Sequence, residues 1–204
     1  MRFVSLDQAV GTVKSGHRLY LHGGAATPHV LVDALVALRT DLRRVEIVHM
    51  HTDGEAPYTA PEMEGRFRHN ALFIGPNVRQ AVQEGRADYT PVFLSEIPEL
   101  FQPGGPLPLD VAFLQVTPPD DDGNCSLGVS VDCAMAAATN ADIVVAQVNP
   151  RMPRTHGISI HESMITMAVE VDEPLPSAQR EPPGPEATAI GMHVASLIDD
   201  GATM

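Results

Sequence analysis

Short apolar runs alternate along most of this 204-residue chain with segments whose apolar residues recur every three to four positions. Continuous apolar runs are typical of strands buried on both faces, whereas the second pattern is typical of amphipathic helices. The clearest buried strands are predicted in residues 110–118 and 141–150, DVAFLQVTP and ADIVVAQVNP. Strands that alternate with helices predict an α/β fold, a mainly parallel sheet covered by helices on both faces.

Capping residues indicate where the helices begin. Ser5, with Gln8 three residues later, forms the capping-box pattern of a short first helix. Thr27 is predicted as the N-cap of the next helix, with Pro28 as its first residue. Ser95 is predicted to cap a later short helix. The remaining elements are strands predicted in 17–22, 43–51, 70–75, 87–93 and 163–174, and helices in 76–85 and 131–140.

The chain divides into three predicted regions. Residues 1–173 carry the strand and helix patterns and form one α/β domain. Residues 174–187 contain five prolines and few apolar side chains, so they are interpreted as an exposed linker. Residues 188–204 have the pattern of an amphipathic helix, followed by a short fragment.

Charge and composition narrow the classes of partner. The net charge is −13 and no block of Lys and Arg offsets it, which argues against nucleic acid. No apolar run approaches the ~20 residues of a membrane-spanning helix, and the first ten residues lack the apolar core of a signal peptide. With only two cysteines a disulfide scaffold is excluded, so a reducing cytoplasm is the expected location.

Three polar turns follow predicted strands and could contact a ligand. Ligands of open α/β sheets bind beyond the carboxyl ends of the strands, where glycines and helix N-termini expose backbone N–H groups. Neither GxGxxG nor GxxxxGK[ST] occurs, so a dinucleotide or P-loop site is not predicted. Plain connecting turns remain the alternative. The candidate binding residues are Gly23, Gly24, Ala25, Thr27, Gly75, Asn77, Asn149, Met152, Thr155 and Gly157.

The residues alone supply no complete catalytic set. His49 and His51 alternate on a predicted strand and should face one side, but HExxH is absent and no metal site is predicted. Cys125 has no visible base and is expected to be a small buried residue, and Ser126 lacks the GxSxG context. A binding module for a small acid or a CoA-like ligand, without catalysis, and a metal hydrolase stay as alternatives.

Several long motifs together indicate a family. They are LHGGAATPHVLVDAL, FIGPNVRQAVQEGRADYTPVFLSEIP, DVAFLQVTPPDDDGNCSLGVSVD, VVAQVNPRMPRTHG, IHESMITMAVEVDEPLP and IGMHVASLIDDGATM. With these segments nearly the whole chain resembles the N-terminal half of the acetyl-CoA hydrolase/transferase family. That family includes 4-hydroxybutyrate, butyrate and succinate:acetate CoA-transferases of the class I fold.

The resemblance implies a carboxylate CoA-transferase with two similar α/β halves. It implies that a glutamate of the C-terminal half attacks the acyl-CoA thioester and later carries CoA as a glutamyl thioester. No glutamate here matches that motif, and Glu162 and Glu170 are not substitutes. The implied partners are an acyl-CoA, a small carboxylate and the C-terminal domain or subunit, with CoA as substrate and no cofactor; a homo-oligomer is compatible with this. The three turns would line a cleft between the halves, and this chain alone would be inactive.

Overall fold

A parallel sheet carries the fold in the computed structural model, which describes residues 1–177 and 182–203. In these residues the strands are β1 (Arg18–Leu21), β2 (Val45–His49), β3 (Phe67–Ala71), β4 (Ala87–Tyr89), β5 (Val111–Val116), β6 (Asn124–Ser126), β7 (Ile143–Val148), β8 (Ser159–His161) and β9 (Met167–Glu170). The helices are α1 (Leu6–Val10), α2 (His29–Leu38), α3 (Pro76–Gln83), α4 (Ile97–Phe101), α5 (Ala134–Asn140) and α6 (Pro185–Ala195). Short 3-10 turns cover Pro57–Thr59, Pro61–Met63, Leu94–Glu96 and Glu162–Met164.

The seven-stranded sheet has the order β4-β3-β2-β1-β5-β7-β9, and each neighbouring pair is parallel. The other two strands, β6 and β8, form a separate antiparallel pair. The predicted α/β architecture is therefore confirmed. Because every strand of the large sheet runs the same way, the segments that follow these strands emerge at one carboxyl edge.

Alternating side chains of the sheet build an apolar layer on each face. Tyr20 belongs to one layer, while Leu19 and Leu21 belong to the other. Helices α4 and α5 cover the Tyr20 face through buried residues such as Phe101. Helices α1, α2 and α3 cover the opposite face through residues such as Leu31. Helices on both faces explain why β5 and β7 read as continuous apolar runs.

Of the three predicted helix caps, Ser5 is confirmed, whereas Thr27 and Ser95 are wrong. Ser5 and Gln8 form the expected capping box. Helix α2 begins at His29 with Pro28 at the cap position, and the hydroxyl of Thr27 instead donates to Gly24 O (2.7 Å). Ser95 lies within a 3-10 turn, and α4 begins at Ile97 without a side-chain cap. The hydroxyl oxygen of Thr27 accepts from Asp53 N (3.0 Å) and from no N–H of α2, so it does not cap this helix.

The third strand begins earlier than the pattern indicates. It was expected in residues 70–75 and lies at Phe67–Ala71, because His69 and Asn70 are polar yet buried. Their hydrogen bonds offset the cost of burial, with His69 Nδ1 bonded to Ile47 O (2.9 Å) and Asn70 Nδ2 to Glu46 Oε1 (2.9 Å). The strand expected from residue 163 likewise starts at Met167. The short strand β8 had no distinguishable pattern in the sequence.

The C-terminal helix begins within the predicted linker. Gly184 precedes it and Pro185 occupies its first turn, so α6 starts three residues before the expected residue 188. Residues 178–181 of that linker lie outside the described residues. Residues 182–203 are exposed along their whole length, including apolar side chains such as Leu197 (84% exposed). Among the described helices, none is both long and apolar enough to cross a bilayer.

Candidate functional site

The three predicted turns lie at the carboxyl edge of the large sheet. Gly23 and Gly24 follow β1, Gly75 follows β3, and Asn149 follows β7. The loop after β2 lies between the first two turns, and the loop after β5 lies between the first and third. One edge therefore brings together residues that are more than 120 positions apart in sequence.

Hydrogen bonds join the first two turns through the loop after β2. The side-chain amide of Asn77 donates to Thr52 O (3.1 Å), Thr52 Oγ1 (3.1 Å) and Gly54 O (3.0 Å). Gly24 N donates to His51 O (2.6 Å), and Gly24 forms an isolated parallel bridge with Thr52. The N-terminus of α3 and the glycine turn are thus held by the same short segment.

Close approach of other segments explains the two consecutive glycines. A Cβ at Gly23 would lie 2.5 Å from Asp132 Oδ2 and 2.9 Å from His51 O. At Gly24 the backbone has φ +56°, and a Cβ would lie 2.9 Å from Ser130 Oγ. No larger residue fits at Gly23 without moving backbone or a carboxylate. The glycine pair is therefore where segment 130–132 packs on the end of β1.

The loop after β7 is held by buried polar contacts. Asn149 is fully buried, and its amide donates to Gln115 Oε1 (3.2 Å) and Glu173 O (2.8 Å). Met152 is also buried, and its side chain packs where a Cβ of Gly128 would be. These side chains stabilise the loop from inside and do not face solvent.

The outer part of this loop lines an open cavity of about 650 Å³. Thr155 N donates to Ser126 Oγ (3.2 Å), and Thr155 Oγ1 donates to Gly128 O (3.2 Å). Arg154 forms an ion pair with Asp120 across the cavity (3.3 Å). The third turn is thus connected through segment 126–130 to the glycine pair, since His22 Nε2 also donates to Ser130 O (2.7 Å).

The candidate residues divide into an inner and an outer set. The outer set is at least partly exposed at the carboxyl edge and consists of Gly24, Ala25, Asn77, Thr155 and Gly157. The inner set is buried and consists of Gly23, Thr27, Gly75, Asn149 and Met152. Of these candidate residues, only the outer set is accessible to a ligand at this edge.

The comparison with known families identifies the domain. Residues 1–178 match the family model of the acetyl-CoA hydrolase/transferase N-terminal domain. The chain belongs to this family. Its sequence is 45% identical over 202 residues to the succinyl-CoA:acetate/propanoyl-CoA:succinate CoA transferase of Fasciola hepatica, which covers 97% of this chain and 42% of that protein.

Two further relatives agree with this family membership. The chain is 45% identical over 204 residues to the 4-hydroxybutyrate coenzyme A transferase of Clostridium kluyveri, covering 100% of this chain and 47% of that protein. The crystal structure of 4-hydroxybutyrate CoA-transferase from Porphyromonas gingivalis is similar with a TM-score of 0.78 at 37% identity, over 99% of this chain and 47% of that one. This acetyl-CoA hydrolase/transferase N-terminal domain spans about half the length of the curated relatives it matches.

His49 and His51 were expected to face the same side of a strand, and this prediction is wrong. Strand β2 ends at His49, so His51 lies beyond it and is exposed. His49 is buried, stacks on His69 with ring centroids 4.1 Å apart, and shares a hydrogen bond with Tyr58 (2.6 Å). Burial lowers the pKa of His49 well below its usual value and that of His69 to about 4, so both stay neutral. In residues 1–177 and 182–203 no group of three or more His, Cys, Asp or Glu could hold a metal ion.

Both cysteines are buried and unpaired, as expected for Cys125. Burial raises the pKa of Cys125 to about 11 and that of Cys133 to about 12. A thiol with so high a pKa is almost entirely protonated at neutral pH, and the thiolate is the nucleophilic form. Neither cysteine therefore supplies a nucleophile for this N-terminal domain.

Sequence reasoning missed the segment that connects the turns. Ser130 and Asp132 pack directly on the glycine pair, yet they precede α5 in a stretch that was expected to be helical from residue 131. Asp132 has φ +27°, an uncommon backbone conformation for a residue with a side chain. No local pattern indicates this contact, because it joins residues more than 100 positions apart.

Proposed function

We propose that the protein containing this domain is a carboxylate CoA-transferase, and that the carboxyl edge of the sheet forms one wall of its active site. Two observations support this: the relatives named above are CoA transferases, and the three turns are linked by contacts along one edge. The second observation carries the proposal, because turns on unrelated surfaces could not line one cleft.

The proposed reaction is a two-step exchange through a glutamate outside this chain. Its carboxylate attacks the thioester carbonyl, the CoA thiolate leaves, and an acyl-glutamyl anhydride forms. The thiolate then attacks the glutamyl carbonyl, which releases the first carboxylate and leaves a glutamyl-CoA thioester. The acceptor carboxylate reverses these steps and leaves as the new acyl-CoA. CoA is a substrate throughout, and no cofactor is required.

In this proposal the domain supplies orientation and backbone donors. Gly24 and Ala25 present a half-exposed turn, and Asn77 anchors the N-terminus of α3 beside it. Gly24 N already donates to His51 O, so the donors at this turn and helix end are the backbone N–H groups of Ala25 and Asn77, which bond to no other group in the described residues. Such N–H groups stabilise negative oxygen on an attacked carbonyl. The buried side chains of Asn149 and Met152 keep the third turn in place.

We further propose a cytoplasmic location, which the two unpaired cysteines support.

The test is isotope exchange between labelled acetate and an acyl-CoA. The complete protein that contains this domain should catalyse the exchange, and the 204-residue chain alone should not. Addition of the separately produced second half to this chain should restore exchange. An isolated chain that binds CoA at micromolar concentration, with no exchange by the complete protein, would instead support a binding module.

A further inference from the structure

Asp132 combines a strained backbone with a position at the centre of the carboxyl edge. Among the described residues with a side chain, it and Arg44 have positive φ. Non-glycine residues held in such conformations require surrounding contacts that fix them, and they concentrate at functional sites. The carboxylate of Asp132 lies over Gly23, where a Cβ would be 2.5 Å from Oδ2.

The two oxygens of this carboxylate have different surroundings. Oδ1 accepts hydrogen bonds from the hydroxyl of Tyr20 (3.0 Å) and from Cys133 N (2.5 Å). Tyr20 is buried, and burial, Cys133 and Asp132 raise its pKa well above the usual value, so it remains a donor. Oδ2 has no donor within residues 1–177 and 182–203, and Asp132 as a residue is exposed. One oxygen is therefore fixed by the domain, while the other belongs to an exposed residue and bonds to no donor in the described residues.

Among the groups of the proposed substrates, the one that suits this oxygen is a neutral hydrogen-bond donor. A substrate carboxylate and the phosphates of CoA are negative, so they are repelled by Asp132. The thioester itself has no donor. The pantetheine arm of an acyl-CoA carries amide N–H groups next to the reacting end, and a carboxylate is a strong acceptor for an amide N–H.

We propose that Asp132 Oδ2 accepts a hydrogen bond from the pantetheine amide nearest the thioester and so positions the acyl group against the glycine turn. This inference rests on the proposed function, because it assigns a residue of this domain to the same acyl-CoA. It assigns Asp132 to recognition of the arm and gives it no proton-transfer role.

The informative substitution is Asp132→Asn in the complete protein. Tyr20 and Cys133 both donate to the fixed position, so the asparagine oxygen should stay there and its NH₂ should replace Oδ2. A donor would then face the donor of the substrate amide, and the pantetheine hydrogen bond would be lost. A hydrogen bond to a charged group is worth about 1.5–3 kcal/mol, so KM for acyl-CoA should rise by about tenfold to a hundredfold. Asp121→Asn, at an exposed carboxylate, is the matched control and should leave KM unchanged.

A second substrate separates recognition from a structural effect. With the thioester of a simple alkanethiol, which has no amide, Asp132→Asn should perform like the wild type. An equal loss on both thioesters would overturn the proposal in favour of a merely structural role, and an unchanged KM for acyl-CoA would exclude the contact.

Isothermal titration calorimetry with CoA tests the Asp132 contact through binding alone, without a measurement of turnover. The dissociation constant of the complete protein should rise about tenfold or more in Asp132→Asn and stay constant in Asp121→Asn. If the wild type binds CoA but does not exchange acetate, the proposed function fails while the Asp132 inference is still decided by this comparison. Equal binding by wild type and Asp132→Asn, or no binding of CoA by either, would overturn the inference.

Discussion

Single residues at the carboxyl edge have little tolerance for change, because several chain segments meet there at close range. Gly23 accommodates Asp132 and His51, and Gly128 accommodates the side chain of Met152. Of the polar side chains that hold the turns, that of Asn149 is fully buried, and every one of its hydrogen-bonding atoms is engaged. At this scale, the effect of a substitution is decided by which neighbouring atoms have to move.

Gly128→Ala should destabilise the domain by about 1–3 kcal/mol. The residue has φ +66°, and the new methyl group would overlap Met152, which is itself buried. Urea unfolding monitored by circular dichroism measures the change. Gly157→Ala is the control, because that glycine lies in the loop whose Thr155 bonds to Gly128 O but has no neighbouring heavy atom within 4 Å of the new Cβ. Equal stability of the two variants would contradict the close packing at Gly128.

The buried histidine pair predicts a loss of stability in acid. The pKa of His69 is lowered to about 4 from its ordinary 6.5, chiefly by burial, so the unfolded chain binds the proton more readily. Stability is therefore full above about pH 6.5 and falls as the pH drops toward 4. The shift corresponds to about 3 kcal/mol for this residue. His69→Gln should unfold with a weaker pH dependence over this interval.

The matched control for that experiment is His156→Gln. His156 is exposed, so its replacement should change the unfolding free energy by less than about 0.5 kcal/mol. Urea unfolding at several pH values between 4 and 7 gives the comparison. The same slope in His69→Gln and the wild type would show that the pKa of His69 is not lowered in the folded domain.

Helices and strands were predicted correctly from the sequence where their buried residues are apolar and their exposed residues are polar. Strands β5 and β7 are apolar except for Gln115 and Gln147 and were predicted with nearly correct bounds, and the capping box of α1 was correct. The start of strand β3 was predicted too late because the buried His69 is polar, and its hydrogen-bond partner Ile47 lies on β2. The predicted turns came from their glycines and prolines, whereas Asp132 depends on a tertiary contact that no local pattern reveals.

Substitutions of Asn77 test how strongly its side chain attaches α3 to the loop after β2. Its amide donates to three oxygens of residues 52 and 54, so Asn77→Asp would place a negative oxygen against those acceptors. We expect Asn77→Asp to lower the free energy of unfolding by about 1–3 kcal/mol, and by more than Asn77→Ala does, because alanine removes donors without adding repulsion. Urea unfolding measures both.

Gln80→Ala provides the comparison on the same helix. Gln80 is exposed, and its side chain bonds only to Glu84 in the part of the chain that the structure describes, so the change should be below about 0.5 kcal/mol. If Asn77→Asp were as stable as Gln80→Ala, the contacts between α3 and the loop after β2 would not stabilise the domain.

The whole molecule combines an aliphatic double-layered core with one edge that concentrates backbone donors and glycines. The domain matches the family over residues 1–178, and the matched proteins are about twice its length. Beyond the matched residues, α6 carries exposed apolar side chains such as Ile190 and Met192. We propose that this domain supplies one wall of a site whose attacking carboxylate lies in another part of the protein.

Peptide mapping of the covalent intermediate tests this division most directly. The complete protein is incubated with acyl-CoA without an acceptor, digested, and searched by mass spectrometry for a glutamate that carries CoA. We predict the adduct on a glutamate outside residues 1–204. An adduct on a glutamate of this chain, such as Glu162 or Glu170, would contradict the account.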